Sequence, residues 1–152
     1  MSFLFGELRM ANRKSLITIN GASVGKSNWD IPLSYMRAET FNVVLNGQDL
    51  DSYRDSNGIL HRNALKNCAP KIEFEIPFGT RFGSFMSELR SRYVDATEKK
   101  VNATVYIPEL NKYVTHDFYV PDIENNIYTI TEKGTVYYNQ TRIAFISYGG
   151  AV

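Results

Sequence analysis

The sequence predicts a mainly β fold with one α-helix, arranged as a β-sandwich or β-barrel, and three observations carry this. Ten Tyr and nine Phe accompany many Val, Ile and Thr, side chains that pack well on a pleated surface. Several runs alternate apolar and polar residues with the two-residue period of a half-buried strand. A single stretch, about Thr80 to Tyr93, carries its apolar residues at helical spacing. With 152 residues, 43% of them hydrophobic, the chain is in the range where one domain buries one cooperative core. Residues 1–14 read as an N-terminal arm and residues 15–152 as a single β-rich domain.

In chain order, the arm carries Phe3, Leu4 and Phe5 and then the polar Asn12-Arg13-Lys14. An isolated monomer gains little by exposing three apolar side chains, so these are candidate contacts with a neighbouring subunit. Leu16 to Ile19, Asn20-Gly21 and Ala22 to Val24 read as a tight hairpin, because Asn-Gly supplies the positive φ such a turn needs. The stretch with Trp29, Pro32 and Tyr35 has no period and is expected to cross the core. Phe41 to Leu45 reads as a strand ended by Asn46-Gly47. The polar segment Gln48 to Gly58 ends in Asp-Ser-Asn-Gly turn chemistry, and Ile59 to Leu65 resumes extended structure.

Lys71 to Ile76 alternates without exception, placing Ile72, Phe74 and Ile76 on one face and three charges on the other. Pro77 and Gly79 stop that strand. Thr80 is a plausible N-cap, and Phe82, Phe85, Met86, Leu89 and Tyr93 share one face of the helix that follows. An aromatic stripe of this kind is expected in the core, with Arg81, Arg90 and Arg92 on a solvated face. Val101 to Ile107 and Tyr113 to Val120 are expected to pair across the Pro108 to Lys112 loop. Ile127 to Thr131, a Glu132-Lys133-Gly134 turn and Thr135 to Ser147 form the last hairpin. Its second strand would be some 43 Å long at ~3.3 Å per residue, far beyond the usual length. It must bend at a bulge or project past the domain. Tyr137 and Tyr138, on opposite faces of that long strand, are therefore further candidate subunit contacts.

Composition excludes several classes. Seventeen basic residues nearly balance sixteen acidic ones, so no global field gathers nucleic acid or an anionic membrane. Cys68 has no partner for a disulfide, and no Cys/His set has zinc-ligand spacing. The first residues lack the pattern of a signal peptide, and no segment approaches the length of a spanning helix. A soluble chain made in the cytoplasm, without membrane contact, is expected.

The chemical motifs fail on spacing. Gly21 to Ser27 has three residues between its first Gly and Gly25-Lys26-Ser27, where a phosphate-binding loop needs four, and no helix pattern follows. Asp49, Asp51, Asp55 and Asn57 are oxygen donors in one loop, but their spacing is not that of an EF-hand, leaving at most a weak ion site. His61 and His116 lie in strand-like runs without ligand partners, and Pro121-Asp122 is not followed by the Glu-x-Lys of a nuclease site. No catalytic residue, metal site or cofactor is expected, and no enzymatic activity.

Ser52-Tyr53-Arg54-Asp55-Ser56-Asn57-Gly58-Ile59-Leu60-His61-Arg62, followed by Lys71-Ile72-Glu73-Phe74-Glu75, resembles a family of small uncharacterised proteins of tailed phages and prophages. That family has an Arg-Asp-x-Asn-Gly turn before one strand and a Lys-Ile-Glu-hydrophobic-Glu strand after it. The resemblance runs from about Ser15 to Ser147. The order of elements is also similar to the phage tail-tube fold of tube proteins and distal tail rings. It implies a virion structural protein of the tail tip, baseplate or tail tube, made in the host cytoplasm. It further implies a homo-oligomeric ring, such as a hexamer, which contacts other tail proteins and meets DNA only as passing cargo. A host-surface glycan-binding module of the baseplate and a head-tail connector or tail completion protein are the alternatives.

Overall fold

The structure is a computed structural model and describes residues 15–49, 52–62 and 64–152. Its largest element is a seven-stranded antiparallel sheet built from β1 (Ile17–Asn20), β2 (Trp29–Asp30), β3 (Asn42–Asp49), β6 (Ala64–Ile76), β7 (Lys100–Ile107), β8 (Lys112–Tyr119) and β11 (Thr141–Ser147), in the order β2-β1-β7-β8-β11-β6-β3. Two small two-stranded sheets stand apart: β4 (Tyr53–Arg54) with β5 (Leu60–His61), and β9 (Ile127–Ile130) with β10 (Val136–Tyr138). One helix, α1 (Arg81–Ser91), completes the described elements of regular structure besides two 3-10 turns. The mainly β fold with one helix is borne out.

Alternation puts one face of the sheet inside. Ile72, Phe74 and Ile76 of β6, Val101, Ala103, Val105 and Ile107 of β7, Phe118 of β8, and Ile143 and Phe145 of β11 are all buried. The opposite face of β1, β7 and β8 is a polar ladder of amides, hydroxyls and a carboxylate, with Asn20 bonded to Asn102, Asn102 to Asp117 and Thr104 to Thr115.

The sheet is strongly curled, and Phe85 of α1 shows by how much. Its ring lies 5.6 Å from Trp29 on β2 and 5.9 Å from Phe74 on β6. Those strands are five places apart, ~24 Å on a flat sheet at ~4.8 Å per spacing. One phenyl ring touches both because the sheet rolls up around the helix. The stretch from Ile31 to Arg37 bridges the same gap, bonded to Ile17 O at one end (3.0 Å) and Glu75 O at the other (2.7 Å). Tyr35 rides on this crossing, as its aperiodic context implied, whereas Trp29 precedes it as part of β2.

Four expectations are corrected. Asn20-Gly21 is not a two-residue turn: Gly21 has φ −109, residues 22–24 form a 3-10 turn, and the chain returns as β2. Gly21 is needed for space, since a Cβ there would lie 2.4 Å from Ser27 O. Asn46-Gly47 does not end β3, because both residues pair with β6 opposite Ala69 and Cys68; a bulge after Gly47 absorbs the irregularity. Thr135 to Ser147 is two strands in two sheets, broken at Asn139-Gln140 where Asn139 N–H turns to Asn126 O. Arg92 is buried at 7% exposure, lying three residues beyond Leu89 on the core stripe. It donates to Ser27 O and Glu88 and covers the Trp29 ring.

Candidate functional site

No helix among the described residues is long and apolar enough to cross a membrane. The features that stand out are two hairpins that leave the body of the sheet. The first is β3 with the early part of β6. β11 covers β6 only from Ile76 to Lys71, so the β3–β6 pairing from Leu45↔Pro70 to Asp49↔Ala64 runs on as an arm. One tie holds its base, where Cys68 and Gly150 exchange N–H···O bonds of 3.1 and 3.2 Å. Pro70 fits next to that tie. By the two-residue alternation of bonding directions, its missing N–H would point into the space β11 leaves between Ile146 and Gly150.

The arm's tip, β4–β5, is held by its own turn. Asp55 Oδ1 accepts from the Asn57 and Ile59 amides (2.9 and 3.0 Å), its Oδ2 lies 3.0 Å from His61 Nε2, and Gly58 takes φ +80. The His61 hydrogen bond, then the Ile59 amide, hold the Asp55 carboxyl below its ordinary range despite opposing desolvation. Tyr53 stacks on His61 at 4.9 Å. This ordered tip carries Tyr53, Ile59 and Leu60 exposed to solvent at 60%, 58% and 44%.

The second hairpin is β9–β10. β10 pairs β9 on one side and touches Gly79 on the other, so β9 is an edge. All four β9 residues are exposed, with Ile127, Tyr128 and Ile130 each above 60%. Phe78, half exposed, packs edge-on against Tyr128 at 5.0 Å and stacks with Tyr137 at 6.2 Å. Among the described residues that ladder edge is free and three of its four side chains are large and apolar, a template for pairing with another chain.

The candidate contact residues separate. Tyr138 is half-buried against Phe82, with centroids 5.0 Å apart, so it is largely used inside the molecule; Tyr137 belongs to the Phe78 cluster. Phe3, Leu4 and Phe5 lie outside the described residues, as does Asp51. Phe82, Phe85 and Leu89 are buried, and Met86 and Tyr93 are partly buried against the core. The sequence places Ile127, Tyr128 and Ile130 in the last hairpin without marking them as contacts, because an apolar strand beside a turn reads equally as core until the fold shows its outer edge uncovered.

The chemical motifs resolve into packing. In the Gly21 to Ser27 loop, the Val24 and Lys26 amides both bond Gly21 O (3.0 and 2.9 Å) and are turned away from any anion. His116 and Ser147 form a buried pair: Ser147 Oγ lies 2.8 Å from His116 Nδ1, and His116 Nε2 lies 2.8 Å from Ala151 O. The carbonyl only accepts, so Nε2 donates to it, and in the neutral ring Ser147 donates to Nδ1. With both nitrogens engaged under cover, the pair ties the last residues to β8. Asp122 pairs with Lys99 at 3.1 Å. Among the described residues no cluster of three or more His, Cys, Asp or Glu could hold a metal.

No curated protein matches the sequence. A chain from the tail of an empty GTA particle of C6 symmetry is similar in structure, with 13% identity, TM-score 0.48, and coverage of 93% of this chain and 97% of that one. A chain from the virion of a native gene transfer agent particle is similar to the same degree, with 14% identity, TM-score 0.48, and coverage of 91% and 94%. Residues 17–148, nearly the whole described sheet and the helix, match the family of unknown function DUF6711, and the chain belongs to that family.

Proposed function

We propose that the protein is a structural component of a bacteriophage virion, in the tail tip, baseplate or tail tube, working through contacts between subunits and not as an enzyme. The observation that carries this reading is the pair of hairpins. Among the described residues, none of the buried core residues comes from either hairpin, yet each holds large apolar side chains in solvent and β9 leaves a ladder edge open. Such surface is a liability for a free monomer and an asset for an assembling one. The Arg54-Asp55-x-Asn57-Gly58 turn, where the sequence resembles tail-region phage proteins, builds the tip of one of these hairpins.

Two hairpins at different places on the molecule favour head-to-tail contacts, which close into rings when the rotation allows. A homo-oligomeric ring is therefore the expected form, with the polar face of β1, β7 and β8 free to border a channel. A glycan-binding role is less favoured, because Trp29, the single Trp, is committed to Phe85 and Arg92. A phage encoding this chain with an early stop codon tests the reading. Electron microscopy should show particles with absent or incomplete tails, restored by the intact chain in trans. Complete tails without it would overturn the proposal.

A further inference from the structure

An open trough of about 500 Å³ runs beside α1, and neither hairpin uses it. Phe82, Met86 and Ile123 line it with apolar surface, and Arg90, Tyr93 and Lys99 supply its polar groups. A second depression shares Arg90, Tyr93 and Ala96 and extends it past Ser87 and Ser91. Lys99 is already paired with Asp122, whereas Arg90 makes no ion pair among the described residues. A ligand suited to this trough brings apolar side chains and one acid.

Residues 1–14 hold that combination. Phe3, Leu4 and Phe5 are followed at a two-residue interval by Glu7, the single acid among them. We propose that the Phe3–Glu7 segment of one copy docks in the α1 trough of a second copy, its aromatic side chains against Met86 and Ile123 and Glu7 against Arg90. This deepens the reading of the chain as an assembling tail component and rests on it.

Distance favours a second copy over the same one. Leu16 O accepts from the Tyr106 amide and Ile17 pairs with Val105, so Ser15 lies level with Ile107. Lys99, at the trough, precedes the other end of β7, ~26 Å away at ~3.3 Å per residue. Phe5 is ten residues before Ser15, a reach of at most ~33–36 Å fully stretched. Its own trough would require a taut run down the sheet and around to the helix. The Lys99 end of a copy stacked against the Ser15 end needs a much shorter reach. That arrangement is head-to-tail and can propagate from copy to copy.

Photo-crosslinking of the full chain tests this. Phe5 is replaced by p-benzoylphenylalanine, isotopically light and heavy copies are mixed and irradiated, and adducts are mapped by mass spectrometry. The expected adducts join position 5 of one copy to Met86, Tyr93 or Ile123 of the other. Glu7→Arg or Arg90→Glu alone should lower their yield by about fivefold or more, the scale of an ion pair, and the two together should restore it. Adducts confined to one copy, adducts mapping elsewhere, no adducts, or yields indifferent to both reversals would each overturn the proposal. Oligomers in native mass spectrometry without trough adducts would remove this inference and leave the tail reading standing, whereas monomers throughout would remove both.

Discussion

Phe85 sits where four segments converge, within 6.2 Å of Trp29, Tyr35 and Phe74 by ring centroid and fully buried. Truncation would leave a cavity at the point that holds the sheet's two ends together. Phe85→Ala is expected to cost about 3–5 kcal/mol, measured by urea unfolding, and a loss under ~0.5 kcal/mol would place the ring at a surface. Gly21 has the opposite problem, space already filled: Gly21→Ala sets a Cβ against Ser27 O and should cost about 1–3 kcal/mol. Asp55 links a residue to pH. Its folded pKa is depressed, so the order it gives the tip is present above the ordinary value of 3.8 and is lost as pH falls through the lower folded value. Amide resonances of Asn57 and Ile59 should therefore hold steady with respect to Asp55 down to about pH 4 and shift below it. Asp55→Ala should release them at neutral pH, and unchanged resonances in that variant would contradict the role given to the carboxylate.

At the scale of elements, strands with strict alternation were legible from sequence and their ends were not. Lys71 to Ile76 and Val101 to Ile107 alternate because one face is core and one is solvent, so period alone reveals them. Pro70 hid the rest of β6, since a Pro is tolerated inside a strand only where its neighbour has departed, and the Gly150 tie that shows this is 80 residues away. Asn46-Gly47 has turn chemistry but is held in the ladder by β6, a case of tertiary pairing overriding local preference. The break at Asn139-Gln140 was hidden because no Pro or Gly marks it; the Asn139 N–H bond to Asn126 O holds the corner. Arg92 was readable on the wheel, seven residues or about two turns from Phe85 on the same stripe, but its charge suggested solvent. The corrected hairpin separates two neighbours by consequence. Tyr138→Asp places a charge against Phe82 and should destabilise the fold by about 2–4 kcal/mol. Tyr128→Asp, exposed on β9 and losing its edge contact with Phe78, should cost less, about 0.5–1.5 kcal/mol. Equal effects in thermal or urea unfolding would contradict this division between core and contact.

At the scale of the whole molecule, the curled sheet and its helix satisfy themselves, and what is left over is outward-facing: the arm tip, the β9 edge and the α1 trough. Sequence pointed to assembly through the length of its last apolar run and through resemblance, but the contact residues emerged only once the fold showed which side chains the core had no room for. Tyr138, the half of the expected pair that packs on Phe82, illustrates why period alone could not choose between them. We propose that the exposed β9 hairpin meets another subunit. Native mass spectrometry of the intact chain beside a Tyr128→Asp/Ile130→Asp variant tests it most directly. We expect a single closed oligomer for the former and loss of that closed form for the latter, with unchanged circular dichroism. An intact chain that stays monomeric at tens of micromolar, roughly the range where weak specific contacts assemble, or a variant that assembles as the intact chain does, would contradict it.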